Sequence, residues 1–407
     1  MDSSDAVPTS GSHVAQAAAD FQWQGNKFEA GIGIALSGGG FRAMLFHAGA
    51  LLRFDELGLL AQTKRFSSVS GGSIATGYLA CVWSKLKQDG FRNFKSTFVE
   101  PILEFSGQKI DVVDALTGSL PWTSAAEEVA DSYDRHLFAK RTLQDLPDEP
   151  RFVFCATNLQ SGVLWRFSKP YAGDYVVGRL DQPKLRLALA VAASSAFPPL
   201  LSPLALTLPE GSFKSWENGP GPVPDAELAQ FRKRILLTDG GVYDNHGIEP
   251  IVKRYATVFV SDGGAPFSRQ SELGTDWISQ LRRVLDVTDN QVRALRRRDL
   301  IDRLIDGNLI ADDAKLVNEH AIGRMGAYWG IDTDPRKLNP PGALACEPSA
   351  THELAQVSTR LSDLGAQTSK QLVNWGYAIC DRSIRFNYKG KVLDSKPEWP
   401  YPEAGLG

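Results

Sequence analysis

Four short apolar runs in this chain each end on a glycine-rich turn, and that repetition leaves few folds open. Ile32–Leu36 runs into Ser37-Gly38-Gly39-Gly40, Phe66–Val69 into Ser70-Gly71-Gly72, Ile235–Thr238 into Asp239-Gly240-Gly241, and Thr257–Val260 into Ser261-Asp262-Gly263-Gly264. A continuous apolar run of four or five residues bounded by glycine reads as a buried strand. Helical periodicity follows the first two turns, from Phe41 to Leu57 before Gly58 and from Ser73 to about Lys87. The opening segment therefore reads strand, glycine turn, helix, strand, sharp turn, helix. Strands alternating with helices predict an α/β fold, a three-layer α/β/α sandwich around a mainly parallel sheet.

Further along, Arg151–Ala156 and Val163–Phe167 read as strands around a turn at Gln160–Gly162, and Leu185–Ala193 as a helix. The uncharged stretch Leu187–Pro209 is long enough to cross a bilayer, but Pro198, Pro199, Pro203 and Pro209 interrupt it, so it is expected to line the core and the site. Residues 212–227 read as an exposed loop or partial flap. Beyond Ser271 the chain is amphipathic from Trp277 to Leu309 and loop-rich around Pro335–Pro348, and a last long helix is expected over Glu353–Ile384. The domain expectation is a tail over 1–28, a catalytic unit over 29–268, and a helical extension over 269–407 packed upon it.

The chain has 407 residues, 43% hydrophobic and 22% charged, enough for a sizeable core. Its net charge of -3 argues against nucleic acid as the partner. The basic run Arg293–Arg298 reads as a solvated helix face or a membrane-surface contact. Cys81, Cys155, Cys346 and Cys380 are far apart and read as reduced thiols of a cytoplasmic chain. Residues 1–20 lack a signal peptide's cationic start and apolar run. Neither the cysteines nor the six histidines have zinc-ligand spacing, so no metal and no cofactor is expected.

The candidate chemistry lies in the turns. Ser70 at a strand-to-helix turn, flanked by small residues, has the form of a nucleophile elbow, which lifts a hydroxyl out of the sheet and sets it at a helix start. Gly71 and Gly72 meet the steric need on one side. On the other, Ser68 stands where the pattern has glycine. Gly38, Gly39 and Gly40 expose backbone amides that suit an anion or a developing oxyanion, and Gly71 can add another. Arg42, on the first helical turn, either braces this loop, packs a helix, or attracts an anionic headgroup. Asp239 beside Gly240 and Gly241 can approach another strand-end turn closely, and burial would raise its pKa and make it a better base. Asp262-Gly263-Gly264 offers the same pattern, and spacing alone does not choose between the two aspartates.

Taken in order, Gly38-Gly-Gly-Phe-Arg42, Ser68-Val-Ser-Gly-Gly72 and Asp239-Gly-Gly resemble the motif set of the patatin-like phospholipases. Ala156-Thr-Asn158, Ala192–Pro198 and Asp239–Asn245 are similar to stretches of its bacterial members, with a weaker likeness at Trp375-Gly-Tyr377. The resemblance spans roughly residues 29–268. It implies a lipid acyl-ester hydrolase, a phospholipase A or lysophospholipase. Ser70 would be nucleophile and Asp239 base in a dyad without histidine, with an oxyanion hole at Gly38–Gly40. The family's dyad aspartate heads a D-G-G-x-x-D-N stretch, which only Asp239 does, so Asp262 is expected to be structural. Peripheral contact with a membrane is implied as well.

Three other readings use the same residues. A histidine-assisted triad would recruit His246, His320 or His352, with His47 left to packing. Transfer of the acyl group to an acceptor other than water needs no further residue. A lipid-binding protein that kept the fold is the non-catalytic option.

Overall fold

The computed structural model describes residues 29–108, 122–199, 201–208, 212–214, 225–318, 322–359 and 361–407. The expected tail over 1–28, and 215–224 of the expected flap, lie outside the described residues; 225–233 is a helix.

One sheet organises the chain. Its strands are β1 (Glu29–Leu36), β2 (Thr63–Ser68), β3 (Arg151–Asn158), β4 (Leu164–Phe167), β5 (Tyr171–Asp174), β6 (Gly178–Asp181), β7 (Leu204–Leu206), β8 (Phe213–Lys214), β9 (Ile235–Asp239), β10 (Tyr255–Asp262) and β11 (Met325–Gly330). They lie in the order β11-β10-β1-β2-β3-β4-β5-β6-β8, with β9 joining β3 to β7. The part from β11 to β3 is parallel throughout, and the pairs beyond β3 are antiparallel.

Side chains alternate across the sheet, as the two-residue period of a strand requires. Ile34, Leu36 and Phe259 enter the larger core, while Ala35, Val258 and Val260 pack on the other face with Ile248, Ile251, Leu300 and Leu304. Helix α1 (Gly40–Glu56) and helix α2 (Gly71–Gln88) cover the first face. α1 is buried from Gly40 to Phe54, which explains why its sequence is apolar nearly all round. Further helices are α3 (Leu187–Ser194), α4 (Trp277–Ile310), α5 (Pro348–Gln356) and α6 (Ala366–Asn387).

The chain beyond residue 268 is more than a helical extension. β11 joins the sheet in parallel register with β10, Asp262 opposite Gly330. The long helix expected over Glu353–Ile384 is two helices, α5 and α6, parted around Gly365, whose φ of 80° suits glycine. α6 lies directly on α1. A Cβ on Gly49 would meet the Val373 carbonyl oxygen at 1.8 Å, and one on Gly376 would meet the Phe46 carbonyl oxygen at 1.8 Å. The Arg53–Asp381 ion pair, 2.8 Å and buried, locks the same two helices. Gly376 accounts for the Trp375-Gly-Tyr377 likeness as a packing requirement. No helix of the described residues is long and apolar enough to cross a membrane.

Candidate active site

The parallel register brings three of the four turns to one edge. Leu36 lies opposite Ser68 on β2 and Ser261 on β10, so β1, β2 and β10 release their chains at the same level. That edge, beyond the carboxyl ends of the strands, is where open α/β sheets build sites. β9 arrives differently from what a uniformly parallel sheet implies. It runs antiparallel to β3, pairing Asp239 with Ala156, while Ser68 pairs with Phe154. Asp239 thus stops just past the end of β2 and faces the turn that carries Ser70.

Ser70 has φ 49° and ψ -118°, a backbone conformation rarely adopted by residues other than glycine. Such strain costs about 1–3 kcal/mol and persists where the surroundings over-determine it. Here the surroundings are hydroxyls and close backbone. The Ser70 amide donates to Ser194 Oγ at 3.0 Å, and Ser194 Oγ donates to the Cys155 carbonyl at 2.6 Å. Ser73 Oγ lies 2.9 Å from Ser194 Oγ and 3.1 Å from Ser68 Oγ, and Thr76 Oγ1 donates to Ser68 Oγ at 2.7 Å. Ser68 is buried and donates to the Val153 carbonyl at 3.4 Å. The residue that departs from the elbow pattern is therefore a polar tie between β2, β3 and α2. A Cβ on Gly71 would lie 2.1 Å from the Gly40 carbonyl oxygen, and one on Gly72 2.4 Å from that of Leu36. These glycines let α2 start directly against the glycine loop.

In that loop Gly39 and Gly40 have φ of 140° and 59°. A Cβ on Gly38 would meet Asn245 Oδ1 at 2.6 Å and Ser70 Cβ at 3.2 Å, so the loop, the elbow and the Asp239 turn are in mutual contact. The Gly38 amide is already engaged, donating to the Asn245 carbonyl at 3.0 Å. This narrows the expected set of oxyanion donors. Among the described residues, the amides of Gly39, Gly40 and Gly71 have no hydrogen-bond acceptor, as befits helix starts.

Asp239 is 3% exposed and Ser70 8%. Burial pushes the Asp239 carboxyl up to about 7, against the opposing pull of the Gly241 amide and the Ser70 side chain, and Asp289 adds to the rise. The Gly241 amide reaches Oδ1 at 2.7 Å. A Cβ on Gly240 would lie 2.2 Å from the Cys155 carbonyl oxygen, and one on Gly241 2.6 Å from Asn245 Oδ1, so both glycines are needed for the turn to seat. Ala196 holds the aspartate from behind, its carbonyl accepting from the Asp239 amide and from Thr238 Oγ1, both at 3.0 Å. Ser194 and Ala196 are positioning residues that spacing did not reveal. Their only signal was the likeness carried by Ala192–Pro198.

Arg42 is buried and spans three carbonyls, those of Ala355 at 3.1 Å, Val357 at 2.7 Å and Gly263 at 2.8 Å. This overturns the headgroup reading, because a side chain enclosed in this way braces the loop. Burial lowers its pKa to about 10. His47 lies under the same loop, with Nε2 2.9 Å from the Ser37 carbonyl and Nδ1 2.8 Å from Ser261 Oγ. A carbonyl only accepts, so Nε2 carries the proton and Nδ1 accepts from Ser261. Burial lowers the His47 pKa to about 4 and keeps the ring neutral. His246 pairs with Asp262 at 3.1 Å. His320 lies outside the described residues, and His352 is exposed on α5. Among the described residues no histidine hydrogen-bonds to Ser70 or Asp239.

The basic run on α4 turns largely inward. Arg293 donates to the Ala265 carbonyl at 2.8 Å, Arg296 approaches Asp244 and Glu249 at 4.0 and 3.9 Å, and Arg297 approaches Asp332 at 3.7 Å. It is a docking device between α4 and the strand-end loops, and of the four only Arg298 stays exposed. Among the described residues no cluster of histidine, cysteine, aspartate or glutamate is arranged to hold a metal.

A strained serine on a strand-to-helix turn, facing a buried aspartate and a glycine loop, places the chain in a recognisable class, the α/β proteins with a serine elbow at a strand end. Residues 34–252 match the model of the family described as patatin-like phospholipase, and the chain belongs to that family. Among solved structures, human GIVD cytosolic phospholipase A2 is similar in fold, with a TM-score of 0.51 at 14% identity over 87% of this chain and 58% of that one. VipD from Legionella pneumophila overlaps 88% of this chain and 66% of its own, at 14% identity and a TM-score of 0.34. The chain thus spans little more than half the length of the human enzyme. No curated protein sequence matches it.

Proposed function

We propose that the protein is a lipid acyl-ester hydrolase of the phospholipase A or lysophospholipase type, working through a Ser70–Asp239 dyad. The observation that carries this reading is the strained Ser70 turn beside the buried Asp239 carboxyl, which burial pushes up to about 7 and the Ser70 side chain draws part of the way back. A carboxylate in water is too weak a base to take a serine proton, but one poised near neutrality is matched to the task.

In the first step Asp239 accepts the hydroxyl proton as Ser70 Oγ bonds to the ester carbonyl carbon. Negative charge then develops on the carbonyl oxygen, where the unengaged amides of Gly39, Gly40 and Gly71 stand ready. Each such donor is worth about 3 kcal/mol in a water-poor site. The alkoxide leaving group departs with the proton from Asp239, which leaves an acyl-serine. Water, deprotonated by Asp239, attacks that ester and releases the fatty acid and Ser70.

A lipid surface as the place of action belongs to the same proposal. Phe197 and Val242, exposed at 65% and 51%, lie beside the Ala196 brace and the Asp239 turn. On α4, Trp277, Leu281, Val284 and Leu285 are exposed at helical spacing on one face. α4 also carries Asp289, whose charge adds to the rise at Asp239.

The test is release of fatty acid from phospholipid and lysophospholipid vesicles, with labelling by a serine-reactive alkyl phosphonate. Ser70→Ala is expected to abolish both. Undiminished hydrolysis by that variant, or no adduct on Ser70 in the native chain, would sink the reading.

A further inference from the structure

The second Asp-Gly-Gly turn, which the dyad does not use, is built into both halves of the site. We propose that Asp262, with the Gly263 that follows it, is a positioning residue that fixes the general base relative to the amides of the glycine loop. The inference rests on the dyad reading of Ser70 and Asp239.

The two halves come from different strands. The glycine loop leaves β1, and the Asp239 turn with its continuation through His246 leaves β9. The end of β10 braces both. Toward the base, the buried Asp262 Oδ2 accepts from His246 Nε2 at 3.1 Å and from the Tyr328 hydroxyl at 2.8 Å. His246 directly follows Asn245, whose carbonyl accepts from the Gly38 amide and whose Oδ1 packs against Gly38 and Gly241. Toward the glycine loop, the Gly263 amide donates to Ser37 Oγ at 2.8 Å, and its carbonyl accepts from Arg42 at 2.8 Å. That same carbonyl lies where a Cβ on Gly39 would come within 2.8 Å of it, so it forms the floor of the loop. The other carboxylate oxygen is taken by the Gly264 amide at 2.9 Å, with Arg293 at 3.8 Å.

Asp262 does not reach Ser70 or Asp239, so it contributes through His246 and Gly263. Although burial opposes ionisation, His246, Arg293 and the Gly264 amide hold its carboxyl well below the usual range. A lasting anion with both oxygens engaged is a rigid anchor. Asparagine in its place keeps the shape but removes the charge and replaces one acceptor oxygen with a donor, so either the Gly264 amide loses its acceptor or His246 and Tyr328 must reverse their donor roles. Misplacing catalytic groups by as little as about 1 Å can lower a rate by about 100-fold. Interactions that tighten only in the transition state are lost from kcat rather than from KM.

The experiment compares Asp262→Asn, His246→Ala, His246→Gln and the Asp262→Asn/His246→Ala pair on phospholipid vesicles. kcat is expressed per Ser70 that takes up an alkyl phosphonate, so unfolded molecules drop out. Asp262→Asn is expected to lower kcat between about 10- and 100-fold with KM within about twofold. His246→Gln, which keeps an N–H donor, should recover most of what His246→Ala loses, and the pair should be little worse than Asp262→Asn alone. Unchanged kcat per labelled site in Asp262→Asn would overturn the proposal, as would a deficit matched wholly by fewer labelled sites. Failure of His246→Gln to recover activity would overturn the route through His246. Failure of the dyad reading itself would show separately, as persistent hydrolysis by Ser70→Ala.

Discussion

Asp239 and Asp262 begin identical Asp-Gly-Gly turns, each carboxylate accepting the amide two residues on, at 2.7 and 2.9 Å, yet their carboxyls are shifted in opposite directions from the ordinary value. Asp239 is buried among groups that do not fully repay the burial and rises to about 7. Asp262 is buried as deeply but meets His246 and Arg293 and falls well below the ordinary range. The same three residues thus carry a carboxyl poised near neutrality in one place and a lasting carboxylate in the other.

The proposed dyad predicts a pH dependence. Asp239 must be ionised to take the Ser70 proton, so kcat/KM and the rate of phosphonate labelling should rise with pH through about 7. A labelling profile with no inflection in that region would contradict the assignment of Asp239 as base.

Stability should show the same group with the opposite sign. The folded state holds the Asp239 proton more tightly than the unfolded chain does, so its contribution is fully present below pH 3.8 and is lost as pH rises to about 7. Asp239→Asn removes that loss. Relative to the native chain, the variant should gain stability steadily between those pH values, by up to about 4 kcal/mol, and then level off. Urea denaturation at several pH values measures it, and a difference independent of pH would refute it.

Ser68 joins β2, β3 and α2 through buried hydroxyls. Ser68→Gly restores the usual elbow residue but removes the oxygen on which Thr76 and Ser73 converge, leaving Thr76 on the Gly72 carbonyl and Ser73 on Ser194, and loosens the strand. A loss of about 2 kcal/mol is expected on chemical denaturation. An unchanged or stabilised variant would mean that the hydroxyl network contributes nothing.

Arg42 serves three carbonyls. Arg42→Lys cannot reach all of them, and about 3 kcal/mol or more should be lost in Arg42→Ala. The ratio of rates on anionic and zwitterionic vesicles should stay as in the native chain. A selective fall on anionic vesicles would revive the headgroup role.

Two glycines separate packing from chemistry. Gly376→Ala forces a Cβ against the Phe46 carbonyl and should destabilise the fold by about 3 kcal/mol or more. Gly71→Ala forces one against the Gly40 carbonyl and should lower kcat by about 100-fold through displacement of the elbow. Thermal unfolding and steady-state kinetics on both variants will show whether the effects divide in this way.

Much of this was legible in the chain itself because strand-end chemistry is local. An apolar run, a glycine that admits positive φ, a serine between small neighbours and an aspartate before two glycines are each readable within a window of about five residues. They located Ser70, Asp239, the glycine loop and the layered α/β class. The resemblance, resting on Asp244 and Asn245, selected Asp239 over Asp262. What the tertiary structure decided was everything that depends on distant partners. β9 runs antiparallel, β11 adds a strand from beyond residue 268, Asn245 occupies the Gly38 amide, Arg42 faces inward, and Asp262 pairs with His246 and Tyr328. The physical reason is that a pKa, an engaged amide or a braced loop is set by burial and by groups brought together across the fold, and no pattern of neighbours along the chain records them.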